Sequence, residues 1–373
     1  MLTERSFPQK LALGKNFCNR IKEQEHLKNQ IIDVRPTLII SPRRYGKTSL
    51  GIQVLENLQI PYVHLDLFPL ATVEDVENTI MGGIGEIIAL CENTPEKALK
   101  AISAFFTALS IGFNIVNTKV QVSITKEKVR PQALLNALQS VDELLQKKKK
   151  NAVLFLDEFQ RLAQMPGSEQ IEGAIRFVAQ QSKNLSFLFS GSNRHLLEKM
   201  FSDSHRPLYK LCDRLTLERI DRNEYVPFIQ KQAQQTWKQK LEIHAIEAIF
   251  ECTDCHPYYV NTLCHRLWTE KNIFNSKKVI DTWDDYALGE KSTVLREIEN
   301  LSENQIKMLI SLARYGATES ILNDAFLNFS RMALSSAKQS IVALEKKDFV
   351  YRCRNNKYCV LDPLVKYILC GRK

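Results

Sequence analysis

Two short apolar runs organise the first half of the chain. Residues 38–40 (LII) lead into a polar, glycine-containing turn, and residues 152–156 (AVLFL) end on Asp157-Glu158. Unbroken apolar runs of this length predict strands covered on both faces, as in a parallel sheet. Residues 62–67 alternate apolar with polar, and residues 185–190 and 213–217 read as two further strands. The five together predict a parallel sheet of the additional-strand P-loop type, with the 38–40 strand central. Helical spacing covers residues 17–31, 49–59, 72–91, 131–145, 171–181 and 194–201, whereas residues 1–16 read as a poorly structured lead-in. The 72–91 helix crowds Glu74, Asp75 and Glu77 into its first turns, where the helix dipole favours them. Residues 101–118 read as a buried helix turning into a strand, and Val120, Val122 and Ile124 continue the strand by alternation.

Beyond Asp221 the strong strand signals stop. Helices at 222–238, 243–252 and 258–269 predict a helical second domain. Helices at 303–314, 319–327 and 333–346, then short strands at 349–352 and 357–361, form the layout of a winged helix. The expected division is therefore 1–220, 221–300 and 301–373.

A chain of 373 residues accommodates two or three domains, and 44% apolar with 25% charged residues is ordinary for a soluble globular protein. Net charge is +9, and residues 302–373 hold 12 Lys/Arg against 6 Asp/Glu, so +6 of it falls in this segment. That charge fits double-stranded DNA, but the third helix of the winged layout is poor in basic residues, which fits a protein partner equally. The run Lys147 to Lys150 reads as a solvated helix end. Residues 1–10 show no secretory leader, and nine scattered cysteines are expected as reduced thiols in a cytoplasm. The longest charge-free stretch, 101–118, contains Ser, Thr, Asn and Gly and makes a poor membrane span, so no membrane partner is expected. Cys252-Thr253-Asp254-Cys255-His256, with Cys264-His265 beyond, has the spacing of a haem or zinc site. Residues 258–267 look like one continuous helix, however, and small buried thiols are the expected outcome.

The chemistry lies at the ends of the two apolar runs. Residues 41–48 (SPRRYGKT) meet G-x-x-x-x-G-K-[ST] at Gly46, Lys47 and Thr48, with Ser41 at the first glycine position. Backbone N–H groups from Tyr45 to Thr48 can cradle an anion at a helix start; Lys47 reaches the β- and γ-phosphates, and Thr48 holds Mg²⁺. A serine in place of glycine raises the question of how tightly the loop closes. Asp157-Glu158 reads as a Walker B pair, with Asp157 on Mg²⁺ and Glu158 polarising the attacking water. Ser192 or Asn193 stands where a γ-phosphate sensor is expected, with Arg194 able to approach the phosphates too; a Ser/Asn cap of the 194–201 helix is the other reading, and both can hold. The pairing predicts ATP as ligand, Mg²⁺ as cofactor and hydrolysis as activity.

The sequence resembles the archaeal-type ATPases of the AAA+/STAND group over residues 17–369. The resemblance rests on Phe17-Cys18-Asn19-Arg20 with Glu23 and Leu27, on SPRRYGKTSL, on VLFLDEFQ, on FLFSGSNRHLLEKMF with Pro207-Leu208-Tyr209, on His256-Pro257-Tyr258-Tyr259, and on Tyr358 to Pro363. It implies that Ser41, Arg43, Arg44, Tyr45, Gly46, Lys47, Thr48 and Ser49 line the phosphates. It also implies that Arg20 lies on the adenine side and that Pro257 meets the base or ribose. Arg206 and Arg214 become candidates for a finger completing a neighbouring subunit's site, which would require a homo-oligomer. The implied activity is an ATP-driven switch of conformation or assembly. A DNA-binding module with ATP-gated loading and a protein scaffold with a vestigial site are the rivals.

Overall fold

The computed structural model describes residues 6–116, 119–122, 130–353 and 356–371. It divides into two compact units, Arg20–Leu217 and Met1–Asn19 with Glu218–Lys373.

In the first unit the order is α1 (Ile21–Ile32), β1 (Thr37–Ile40), α2 (Lys47–Leu58), β2 (Tyr62–Asp66), α3 (Val73–Leu90), α4 (Pro95–Ala108), β3 (Phe113–Val116) and β4 (Lys119–Val122). Then follow α5 (Arg130–Lys148), β5 (Ala152–Asp157), α6 (Ser168–Gln181), β6 (Leu185–Gly191), α7 (Arg194–Ser202) and β7 (Asp213–Thr216). Five strands pair in parallel in the order β2-β5-β6-β1-β7. The middle strand is therefore β6, and β1 lies between it and the edge strand β7. This arrangement corrects the central placement expected for β1. Polar, largely exposed β7 suits an edge, whereas β1, β5 and β6 are buried along their whole length, as their apolar runs require. The 101–122 region gives helix α4 and an antiparallel β3–β4 hairpin; Ile124 lies outside the described residues. Thr72 and Asp75 close a capping box at the start of α3. Helix α1 starts at Ile21, later than its periodicity implies, because Asn19 and Arg20 both occupy the left-handed region. At the end of α5, Lys148 pairs with Glu92 at 2.5 Å and Lys150 donates to the Cys91 carbonyl at 2.9 Å, so half of the basic run is used internally.

The second unit contains α8 (Arg222–Trp237), α9 (Ile243–Thr253), α10 (Pro257–Leu267), α11 (Ser276–Glu299), α12 (Glu303–Tyr315), α13 (Asp324–Ser330), α14 (Leu334–Lys346), β8 (Val350–Arg352), β9 (Tyr358–Val360) and α15 (Pro363–Cys370). Its helices and winged part share one apolar core, around Trp283, Phe250 and Phe326, rather than two separate ones. The 24-residue α11 was not distinguished in the sequence pattern. Helix α13 starts five residues later than expected: Asn323 Oδ1 accepts from the Phe326 amide and caps it, and Thr318 forms an isolated antiparallel bridge with Tyr358 of β9. The described part of the lead-in, from residue 6, is packed on this unit. Phe7 is 2% exposed and packs edge-on to Trp268 and Phe228 at 4.5 and 5.7 Å. Asn261 donates to the Pro8 carbonyl, and the His265 ring meets the Phe7 carbonyl oxygen at 2.8 Å. Polar spacing hid this because one buried aromatic supplies the anchor.

Burial raises the thiols of Cys252 (to about 12), Cys255 and Cys264, which keeps them protonated. Among the described residues, no cluster of three or more His, Cys, Asp or Glu is placed to hold a metal ion. No helix among them is long and apolar enough to cross a membrane.

Candidate functional site

The site is built where β1, β5 and β6 end. Between β1 and α2 the chain passes through Arg44 (φ 65°) and Gly46 (φ 87°), both left-handed. Alternation of this kind turns successive N–H groups to one side and forms an anion nest. Ser41 is fully buried and is not among the residues with positive φ. The position that replaces glycine therefore needs no glycine geometry, and its hydroxyl donates to the Pro42 carbonyl at 3.1 Å. Lys47 is 5% exposed, with Nζ 3.3 and 3.2 Å from the carbonyl oxygens of Ser41 and Pro42. Tyr45 is buried, Ser49 nearly so, and Arg43 and Arg44 are exposed at the rim.

Arg20, expected on the adenine side, contacts the loop itself. It is 3% exposed; one guanidinium nitrogen donates to the Tyr45 carbonyl at 3.1 Å, and another pairs with Glu23 at 3.2 Å. The side chain thus braces the phosphate loop from behind.

Parallel register places Asp157 at the tip of β5 among three side-chain donors, and the Glu158 amide donates to its Oδ1 at 2.9 Å. Thr48 Oγ1 reaches Asp157 Oδ2 at 2.5 Å, His64 Nε2 reaches the same oxygen at 3.1 Å, and the Ser190 hydroxyl bonds Oδ1. Burial alone would raise this carboxyl, but the hydrogen bonds from His64, Ser190 and Thr48 outweigh it and hold the group at about 2. Asp157 is consequently a fixed anion beside a threonine hydroxyl. That pair of hard oxygen donors suits Mg²⁺, which takes one or two protein oxygens and keeps its remaining positions for water and phosphate.

Glu158 follows with φ 52°, a left-handed turn that swings its carboxylate away from the strand direction. Glu158 Oε2 accepts from Gln160 Nε2 at 2.5 Å and from Ser192 Oγ at 2.9 Å. The two sensor candidates separate here. Ser192 contacts Glu158, whereas Asn193 Oδ1 accepts from the Leu196 amide at 3.1 Å and caps α7. The cap engages the acceptor oxygen of Asn193 and not its amide nitrogen, so it is compatible with the sensor role expected of this residue. Arg194 is the first residue of α7 and half-buried.

Arg206 is turned inward: its guanidinium bonds buried Glu172 and reaches Glu169 at 2.9 Å. Burial lifts Glu172 to about 7, against the opposing pull of Arg206. A side chain so engaged is poorly placed to serve as a finger. Arg214 donates to the Ser202 hydroxyl at 2.7 Å. Pro257 belongs to the other unit, where it opens α10. His64, Ser190 and Gln160 were missed as site residues, since only the strand order brings the first two to Asp157. Gln160 stood inside the quoted VLFLDEFQ motif and was detectable there.

Comparison with known proteins agrees with this geometry. Residues 292–370 match the family model of a probable winged helix domain. The Walker-type ATPase PABY2304 of Pyrococcus abyssi superposes with a TM-score of 0.69, at 18% identity, over 97% of this chain and 99% of that one. The ORC2 protein of Aeropyrum pernix, in its ADPNP-ADP complexes, gives 0.57 at 13% identity, over 97% and 95%. The chain shares the fold of these two structures. A winged helix closes the chain. No curated protein sequence matches it significantly.

Proposed function

We propose that the chain binds ATP with Mg²⁺ and hydrolyses it slowly, using the cycle as a conformational or assembly switch. The observation that carries this reading is the junction of the two motifs: the phosphate-loop threonine and the Walker B aspartate share a hydrogen bond, with Glu158 next in the chain. In an ATP complex the N–H groups of residues 45–48 and Lys47 Nζ hold the β- and γ-phosphates. Thr48 and Asp157 would hold Mg²⁺, which would supply positive charge to offset the charge developing in hydrolysis. Glu158 orients and deprotonates the attacking water, and Ser192 bonds the γ-phosphate. Catalysis is positioning and charge stabilisation of an in-line displacement.

The winged helix is the output end. Its third helix, α14, exposes Leu334, Ser335, Lys338, Gln339, Val342 and Lys346. Ser and Gln side chains that can read base edges, beside two lysines, support duplex DNA as the partner. Exposed Leu334 and Val342 support a protein surface. A titration of wild type and Lys47→Ala with a fluorescent ATP analogue, then of turnover against duplex DNA at two salt concentrations, tests both levels. Loss of nucleotide binding in Lys47→Ala supports the site, and salt-sensitive stimulation by DNA supports the DNA partner. Nucleotide binding unaltered in Lys47→Ala refutes the assignment of the loop. Turnover indifferent to DNA directs the search to proteins, with self-assembly the first case to examine.

A further inference from the structure

The 24-residue helix α11 carries an uncovered stripe along one side. Its buried side is set by Val279, Trp283, Ala287, Val294 and Ile298. Positions 277, 281, 284, 288, 291, 295 and 299 recur at steps of three or four and so form a second, separate stripe. On it Leu288 is 67% exposed and Leu295 40%, and Ile280 at its edge is 47% exposed. Charges on and beside this stripe change sign about Leu288. Toward the start of the helix come Lys277, then Asp281 and Asp285; toward the end come Lys291 and Arg296, then Glu299, all exposed. Lys278, on the flank, is already paired with Glu270 at 2.9 Å, and Asp284 accepts from the Tyr367 hydroxyl.

We propose that this stripe is a self-association face, on which a second copy of the chain lays its own α11 antiparallel about a two-fold axis near Leu288. The charge order sets the direction. Turned about that axis, Lys277 stands opposite Glu299 of the second copy, Asp285 opposite its Lys291, and Asp281 beside its Arg296. The two Leu288 side chains meet at the centre. Parallel pairing in register would set each charge against its own kind, and a uniformly acidic or basic partner would leave half of the charges opposed to their own sign. Only a copy of the same helix satisfies both halves. A two-fold contact is isologous, so each ion pair forms twice and the assembly closes at two chains. A helix of 24 residues is about 36 Å long, and a strip of that length makes an interface at the small end of specific ones. The dimer is therefore weak, formed at micromolar rather than nanomolar concentration. The face uses no residue of the nucleotide site, so it is independent of the assignment of ATP.

Sedimentation equilibrium of the full chain is the test, with Leu288→Glu, Asp285→Lys and the exchanged pair Asp285→Lys/Lys291→Asp run beside wild type. Wild type is expected to dimerise with a Kd of roughly 1 to 100 µM. Leu288→Glu buries a charge at the axis and Asp285→Lys sets lysine against lysine, so each is expected to weaken the dimer at least about tenfold. Exchange rebuilds the same pairs with their signs reversed and is expected to return the Kd to within about threefold of wild type. All four substituted positions of these variants are exposed, and a thermal transition near that of wild type shows each protein to be folded. Wild type that stays monomeric up to about 500 µM overturns the proposal and leaves the stripe to another partner. A dimer indifferent to Leu288→Glu overturns it in favour of a different face. Loss of the dimer in Asp285→Lys without recovery in the exchanged pair overturns the antiparallel arrangement.

Discussion

The guanidinium of Arg20 donates to the carbonyl oxygen of Tyr45 at 3.1 Å, fastening the residue before α1 to the bend of the phosphate loop. Both residues are buried, so the bond is shielded from water and the loop is braced before any nucleotide arrives. Arg20→Ala removes the guanidinium donor from the Tyr45 carbonyl and the cation paired with Glu23. The expected cost is about 3 kcal/mol of stability, together with roughly tenfold weaker ATP binding. Denaturant unfolding and a nucleotide titration check the two numbers. Full stability with reduced affinity would instead place Arg20 on the nucleotide itself.

Asp157 links the site to pH. Its carboxyl, held at about 2 against an ordinary 3.8, is depressed in the folded state. A depressed carboxylate contributes stability that is fully present above the unfolded value and is lost as pH falls toward the folded one. Wild type should therefore lose about 2 kcal/mol more than Asp157→Asn between pH 5 and pH 2. Urea midpoints measured at pH 5, 4, 3 and 2 trace that difference, and parallel curves for the two proteins would contradict the network of His64, Ser190 and Thr48.

Neighbouring side chains at the end of β6 should separate in their effects. Asn193→Ala removes a helix cap and is expected to cost about 1 kcal/mol, with turnover within about twofold of wild type. Ser192→Ala removes a hydroxyl proposed to bond both Glu158 and the γ-phosphate. Loss of the phosphate contact dominates, and turnover falls at least about tenfold with little change in stability. Thermal midpoints and kcat for the two variants decide it, and the reverse pattern would give the sensor role to Asn193.

Much of this was legible in order along the chain. The apolar runs ending at Ser41 and Asp157 gave away β1 and β5, because only strands covered on both faces stay apolar throughout. Lys47, Thr48, Asp157 and Glu158 followed from spacing. Residues whose roles depend on lateral neighbours were not legible. His64 and Ser190 meet Asp157 because β2 and β6 flank β5, a fact of sheet order that no local pattern records. Phe7 was lost in a polar lead-in, since one buried ring outweighs its surroundings in the fold but not in a periodicity. Ser41 raised a question of backbone strain that the structure answers by placing the left-handed residues at Arg44 and Gly46 instead.

In the proposed mechanism Glu158 activates water at an ATP site formed by Lys47, Thr48 and Asp157. Single-turnover hydrolysis of radiolabelled ATP by wild type and Glu158→Gln, with Mg²⁺ and with binding measured in parallel, tests it most directly. Hydrolysis reduced about a hundredfold or more in Glu158→Gln, with ATP affinity retained, is the predicted result. Equal rates in the two proteins would contradict it.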